Sequence, residues 1–233
     1  MVATTVTKLG IFSDSSRPHH SNFLALLPPD VQLEFLGYVT PEGARGTEST
    51  VEAARKAAER GLKGVLVTGA PREVANPTLY EDLRSGVDIP VTTALHAGAA
   101  ALHAYGARRA LVLTPFDETT RHGIRDNLAK RGIEATVPYV VGGGPEEATG
   151  LGPEKVYELA HSAWEGNRDL DTIYFQGAVL DPLKVIERLE AEIGKPIVAS
   201  NPAMLWYILS KLGRTYHIEG FGQLLREWPA LRS

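Results

Sequence analysis

The 233-residue sequence contains no cysteine. That absence removes disulfides, thiolate nucleophiles and Cys-ligated zinc from the available chemistry, although it does not by itself fix the compartment. An excess of basic residues is missing too: 24 Lys and Arg stand against 28 Asp and Glu, for a net charge of −4. Binding to a polyphosphate or an acidic membrane needs a basic face, so neither nucleic acid nor a membrane is an expected partner. No window approaches a run of apolar residues long enough to span a bilayer, and the opening MVATTVTKLGIF has no charged segment followed by a long apolar one. The expectation is a soluble cytoplasmic protein. At 43% hydrophobic and 22% charged residues, disorder is excluded, and the chain can bury a core as one large domain or two similar lobes.

What the sequence does contain is an alternation of short apolar runs with helical patterns. Strands are expected at Leu9–Phe12, Gly64–Val67, Ile89–Val91, Ala110–Leu113, Thr172–Phe175 and Pro196–Val198. Ser49 three residues before Glu52 has the form of a capping box, and the helix it opens ends at Gly61. Asp181-Pro182 opens another, with Leu183, Ile186, Leu189 and Ile193 on one face before Gly194. Asn201-Pro202 opens a third that Gly213 closes. Strand, loop and helix in this order argue for parallel sheets covered by helices.

The order also repeats. KLGIFSD corresponds to RALVLTP (109–115), GVLVTGAP (64–71) to TIYFQGAV (172–179), and DIPVTTA (88–94) to GKPIVAS (194–200). Three collinear matches point to two copies of one unit. The expected architecture is α/β with two pseudo-symmetric Rossmann-like lobes, residues 1–107 and 108–233, the C-terminal tail packing back on the first lobe. Ligands of open parallel sheets bind beyond the carboxyl ends of the strands, so two facing lobes share one cleft. Its loops supply the expected binding residues: Ser13, Ser15, Gly69, Ala70, Thr114, Phe116, Gln176, Gly177, Ala178, Ser200 and Asn201. Small residues and hydroxyls there leave backbone donors open to an anion such as a carboxylate.

The segment order, VTPEG (39–43), TPFDETT (114–120) and DTIYFQGAVLDPLKVIERLEAEIGKPIVASNPAMLWYIL together resemble the aspartate/glutamate racemase superfamily, in its maleate cis-trans isomerase and arylmalonate decarboxylase branch. The resemblance covers nearly the whole chain. It implies two α/β lobes with the active site between them, no metal or organic cofactor, a small carboxylate or carbonyl substrate, and relatives that are often dimers, so a homo-oligomer is compatible with it. Racemases and isomerases of this kind carry two cysteines at mirrored strand ends, and the decarboxylases keep the second. Here those positions match Gly69 and Gly177, and glycine can neither shuttle a proton nor add to a double bond. The tyrosine that follows TP in the family is Phe116, and Ala70 and Pro71 stand where the decarboxylases carry hydroxyls.

Three groups are candidates to replace the thiols. Asp14 ends the first strand and resembles the Asp-Ser pair of glutamate racemases; the bland reading is a loop brace. Glu73, beside Arg72, offers a second base and a carboxylate clamp, although charged loop residues are ordinarily a solvated pair. His96 begins the helix after PVTT and is expected to titrate near neutrality if it reaches the cleft; the bland reading is a half-buried helix residue. No two histidines stand four apart with a nearby acid, so no metal site is expected. Trp164, Trp206 and Tyr207 read as core or lobe interface rather than as stacking platforms. Two functions remain open: a lyase- or isomerase-type enzyme that transfers a proton next to an acid group without cysteine, and a non-catalytic carboxylate-binding protein of the same fold.

Overall fold

The computed structural model describes residues 6–13, 19–37 and 43–232. The first half runs β1 (Thr7–Phe12), α1 (His19–Leu24), β2 (Val31–Phe35), α2 (Gly43–Glu59), β3 (Gly64–Val67), α3 (Ala70–Ala75), α4 (Leu79–Gly86), β4 (Val91–Thr93) and α5 (Ala94–Ala104). The second half runs β5 (Arg109–Leu113), α6 (Glu118–Lys130), β6 (Glu134–Thr136), α7 (Gly144–Thr149), α8 (Pro153–Glu165), β7 (Thr172–Phe175), α9 (Ile186–Ile193), β8 (Ile197–Ala199), α10 (Ser200–Lys211) and α11 (Gln223–Glu227).

The strands form two four-stranded parallel sheets, ordered β2-β1-β3-β4 and β6-β5-β7-β8. The second sheet repeats the first strand for strand, as the three matched segments predict. Inner strands such as GVLV and TIYF are buried at every residue, without alternation, because parallel sheets carry cover on both faces. Two strands escape the sequence reading, VQLEF (β2) and EAT (β6). Both lie at sheet edges, and their exposure is mixed.

Other expectations need correction. The helix ending before Gly61 begins at Gly43, so Ser49 sits inside it and caps nothing. The segment 181–185 is a turn, closed by the Val185 amide on the Pro182 carbonyl at 2.8 Å, and α9 begins only at Ile186. Gly194 does stop that helix, with φ +66°.

The two sheets are locked together by α5 and α10. Helix α5 follows the first sheet yet packs against β8 and α6, while α10 follows the second sheet and packs against β3 and β4. Helix α5 is made largely of small residues because its neighbours approach closely: a Cβ at Gly98 would fall 2.1 Å from the Tyr174 hydroxyl. That hydroxyl donates to the Ala94 carbonyl at 3.1 Å. Trp164, Trp206 and Tyr207 are all buried, and the Trp206 indole donates to the Pro229 carbonyl at 3.0 Å. After α10 the chain returns to the first sheet, where Arg214 meets Asp30 and Thr7 and the Tyr216 hydroxyl donates to Asp30 at 3.1 Å.

Candidate active site

The carboxyl ends of the two sheets come together around Asn201. This residue lines one recess with Ser13, Thr68 and Phe23, at the ends of β1 and β3, and a second with Gly177, Ala178, Asp181 and Ser200, at the end of β7. Ser200 fixes the second: its hydroxyl donates to the Phe175 carbonyl at 3.2 Å and accepts from the Gly177 amide at 3.3 Å. Thr114, directly after β5, is buried, and its hydroxyl has no hydrogen-bond partner among the described residues. Gln176 is fully buried before Gly177, its carboxamide near the Tyr174 hydroxyl.

The mirrored glycines differ in their surroundings. Both have positive φ, +90° at Gly69 and +110° at Gly177, a region that L side chains rarely enter. Around Gly69 a Cβ would meet nothing within 4 Å, and the residue is exposed. At Gly177 it would lie 3.1 Å from the Pro115 ring and 3.2 and 3.3 Å from the Phe116 ring. The Pro115 and Phe116 rings thus crowd the space that a side chain at residue 177 would enter.

Each glycine is followed four residues later by a shielded carboxyl group. After Gly69 comes Glu73, which with Arg72 lies in α3. The two are 2% and 4% exposed, so the expectation of a solvated loop pair is wrong. Their shielding comes from residues distant in sequence: Glu73 accepts from the Leu95 amide at the start of α5 and from Arg131 Nη2, both at 3.2 Å. Burial pushes the Glu73 pKa up, against the opposing pull of Thr93 and Arg131. After Gly177 comes Asp181, which accepts from the Leu183 amide at 3.0 Å and from Asn22 at 2.5 Å. Asn22 belongs to α1, so this bond joins the first half of the chain to the second. Burial raises the Asp181 pKa as well, the Leu183 amide opposing it. Asp181 and Asn22 were missed at the sequence level, Asp181 because Asp-Pro reads as a helix start. The signal that could have found it is the equal spacing of Gly69 to Glu73 and Gly177 to Asp181.

His96 is not in this neighbourhood. Its ring stacks on Tyr80 with centroids 3.4 Å apart, and its Nε2 is 3.1 Å from the Tyr207 hydroxyl, itself 3.1 Å from that of Tyr80. Loss of solvent, reinforced by Arg131, Lys211 and Arg84, lowers its pKa to about 3, so it stays neutral where the sequence reading had it titrating. It lines a separate cavity with Arg131 and Lys211. Asp14 and Ser15 lie outside the described residues, as does VTPEG apart from Gly43. Among the described residues no three His, Asp or Glu side chains converge as metal ligands, and no helix is long and apolar enough to cross a membrane.

Comparison with known proteins agrees with this architecture. The arylmalonate decarboxylase family model matches residues 35–225. A maleate isomerase of Alcaligenes faecalis is 25% identical over 144 residues, which cover 60% of this chain and 56% of that protein. The match thus spans little more than half the length of that relative. A crystal structure of arylmalonate decarboxylase superposes with a TM-score of 0.80 at 25% identity, covering 95% of this chain and 99% of that one. A maleate isomerase from Pseudomonas putida S16, crystallised with maleate, superposes with a TM-score of 0.79 at 20% identity, covering 95% and 98%. With the family model matched over residues 35–225 and two four-stranded parallel sheets of the same order, the chain belongs to the arylmalonate decarboxylase family.

Proposed function

We propose that the protein is a cofactor-independent enzyme that removes or adds a proton at the carbon beside a carboxylate of a small substrate, in a decarboxylase- or isomerase-type reaction, with Asp181 as the proton-transfer group. The observation that carries this reading is the mirrored pair of carboxyl groups, each four residues beyond a positive-φ glycine and each with its pKa raised by burial. A carboxyl group held above its ordinary range retains a proton closer to neutrality, which a general acid requires. In a decarboxylation the substrate carboxylate leaves as carbon dioxide, and the carbon left electron-rich takes the Asp181 proton, which water restores. The Gly177 loop and Asn201, which line the same recess as Asp181, receive the substrate's carboxylate.

The two carboxyl groups take different parts. Asp181 lines the recess beside Gly177. Glu73 is 2% exposed and lines neither recess, so it positions the Gly69 loop against α5 and does not touch substrate. Asp14 is the second candidate for proton transfer, on its place after β1. Relatives crystallised with or named for maleate and arylmalonate make small dicarboxylates and substituted malonates the first substrates to try.

A second reading rests on Phe116 and Pro115, which fill the space a side chain at residue 177 would occupy. Such closure suits a protein that keeps the carboxylate pocket and has lost the chemistry. Proton NMR in D₂O with maleate, substituted malonates, 2-hydroxy acids and unsaturated acids separates the two. Deuterium entry at carbon, or a new product, supports the enzyme; binding without either supports the binding protein.

A further inference from the structure

Between α5, the end of α10 and the turn that leads into β6 lies a cavity of about 680 Å³ that the proposed reaction does not use. Its lining carries four cationic side chains, Arg108, Arg131, Lys211 and Arg232, and no carboxylate. This is notable in a chain whose net charge is −4. Among the described residues, no carboxylate stands within ion-pair distance of Arg108, Lys211 or Arg232. Arg131 is shared: one guanidinium nitrogen holds Glu73 at 3.2 Å, and the other reaches Asn127. The remaining wall is apolar, from Ala99, Ala107 and Leu231, over a floor of Tyr80, Tyr207 and His96. The Nδ1 of His96 is buried without a hydrogen-bond partner among the described residues, so one polar atom of the lining is left for a ligand or water.

We infer that this cavity is a second binding site, for a small organic anion bearing two or more carboxylate or phosphate groups. Cations around a partly open, partly apolar space, three of them without an ion-pair partner among the described residues, recognise such an anion by charge-assisted hydrogen bonds at its ends and by contact along its skeleton. Two of these cations, Arg131 and Lys211, also lower the His96 pKa, behind burial, as a positive field there does. The site is separate from the strand-end recesses, because none of its lining residues lines either of them.

The test is isothermal titration calorimetry of the whole chain at low ionic strength, where surface charge is least screened, with citrate and with pyrophosphate. Saturable binding at one site per chain is expected, weakened about tenfold or more in Arg108→Glu/Lys211→Glu. Asp181→Asn is expected to leave it unchanged, which keeps this inference independent of the proposed reaction. The preferred probe separates a carboxylate ligand from a phosphate ligand. Because charge reversal perturbs folding in some surfaces, Arg108→Gln/Lys211→Met is measured beside it, each variant checked by thermal melt. Failure of both probes to bind, binding that survives both double variants, or binding abolished by Asp181→Asn overturns the inference.

Discussion

Replacing each mirrored glycine by alanine separates backbone strain from crowding. At Gly69, φ +90° and ψ 107° lie outside the regions open to L residues, and a Cβ there meets nothing within 4 Å. Gly69→Ala therefore has only the backbone cost, about 1–3 kcal/mol. At Gly177 the φ of +110° imposes a cost of the same order, and the Cβ is also forced against the Pro115 and Phe116 rings at 3.1–3.3 Å. Overpacking of that kind adds about 1–3 kcal/mol, so Gly177→Ala is expected to lose about 2–6 kcal/mol. Domains are stable by about 5–15 kcal/mol, which leaves both variants measurable. Urea unfolding reads the difference as a shift in midpoint at constant slope. Phe116→Ala in the Gly177→Ala background is expected to recover the Phe116 share of the crowding and none of the backbone cost, seen as a coupling energy in a double-mutant cycle. Equal losses at the two glycines, or no coupling to Phe116, would refute the reading that the Phe116 ring crowds the space a side chain at residue 177 needs.

Three further outcomes are expected. The Glu73 pKa is raised in the folded chain, so its contribution to stability is complete below its ordinary value of 4.5 and is lost as pH rises through the folded value. The stability of wild type relative to Glu73→Gln is therefore expected to fall as pH climbs above 4.5, and a flat difference in melting temperature would contradict this. His96, with its pKa lowered to about 3, is expected to show ring NMR shifts that do not move between about pH 5 and 8; a titration near 6.5 would count against its buried stack on Tyr80. Gly98→Ala drives a methyl against the Tyr174 hydroxyl and is expected to cost at least about 1–3 kcal/mol, seen as a melting temperature lower by about 2–4 °C per kcal/mol.

Much of the fold was legible because its inner strands are unbroken apolar runs and its repeat keeps register. Edge strands VQLEF and EAT were not, since a half-exposed strand of a few residues has the same pattern as a loop. The geometry of the candidate site was legible as a set of loops: Ser13 and Asn201 line one strand-end recess, and Gly177, Ala178, Ser200 and Asn201 line the other. Side-chain roles were harder to read, because burial is set by partners far away in sequence. Glu73 is shielded by α5 and Arg131, and Asp181 is held by Asn22, 159 residues distant. His96 was drawn to the cleft by its place after β4, while its ring instead turns to Tyr80 and Tyr207.

The central claim is that proton transfer at carbon proceeds here without a thiol and through Asp181. The most direct test is the rate of deuterium entry from D₂O into a bound carboxylate, followed by NMR for wild type and Asp181→Asn with the dissociation constant measured for each. Exchange or conversion is expected in wild type, with a rate about 10²–10⁴ lower in the variant and affinity little changed. Equal rates in the two proteins, or a bound carboxylate that exchanges in neither, would contradict it.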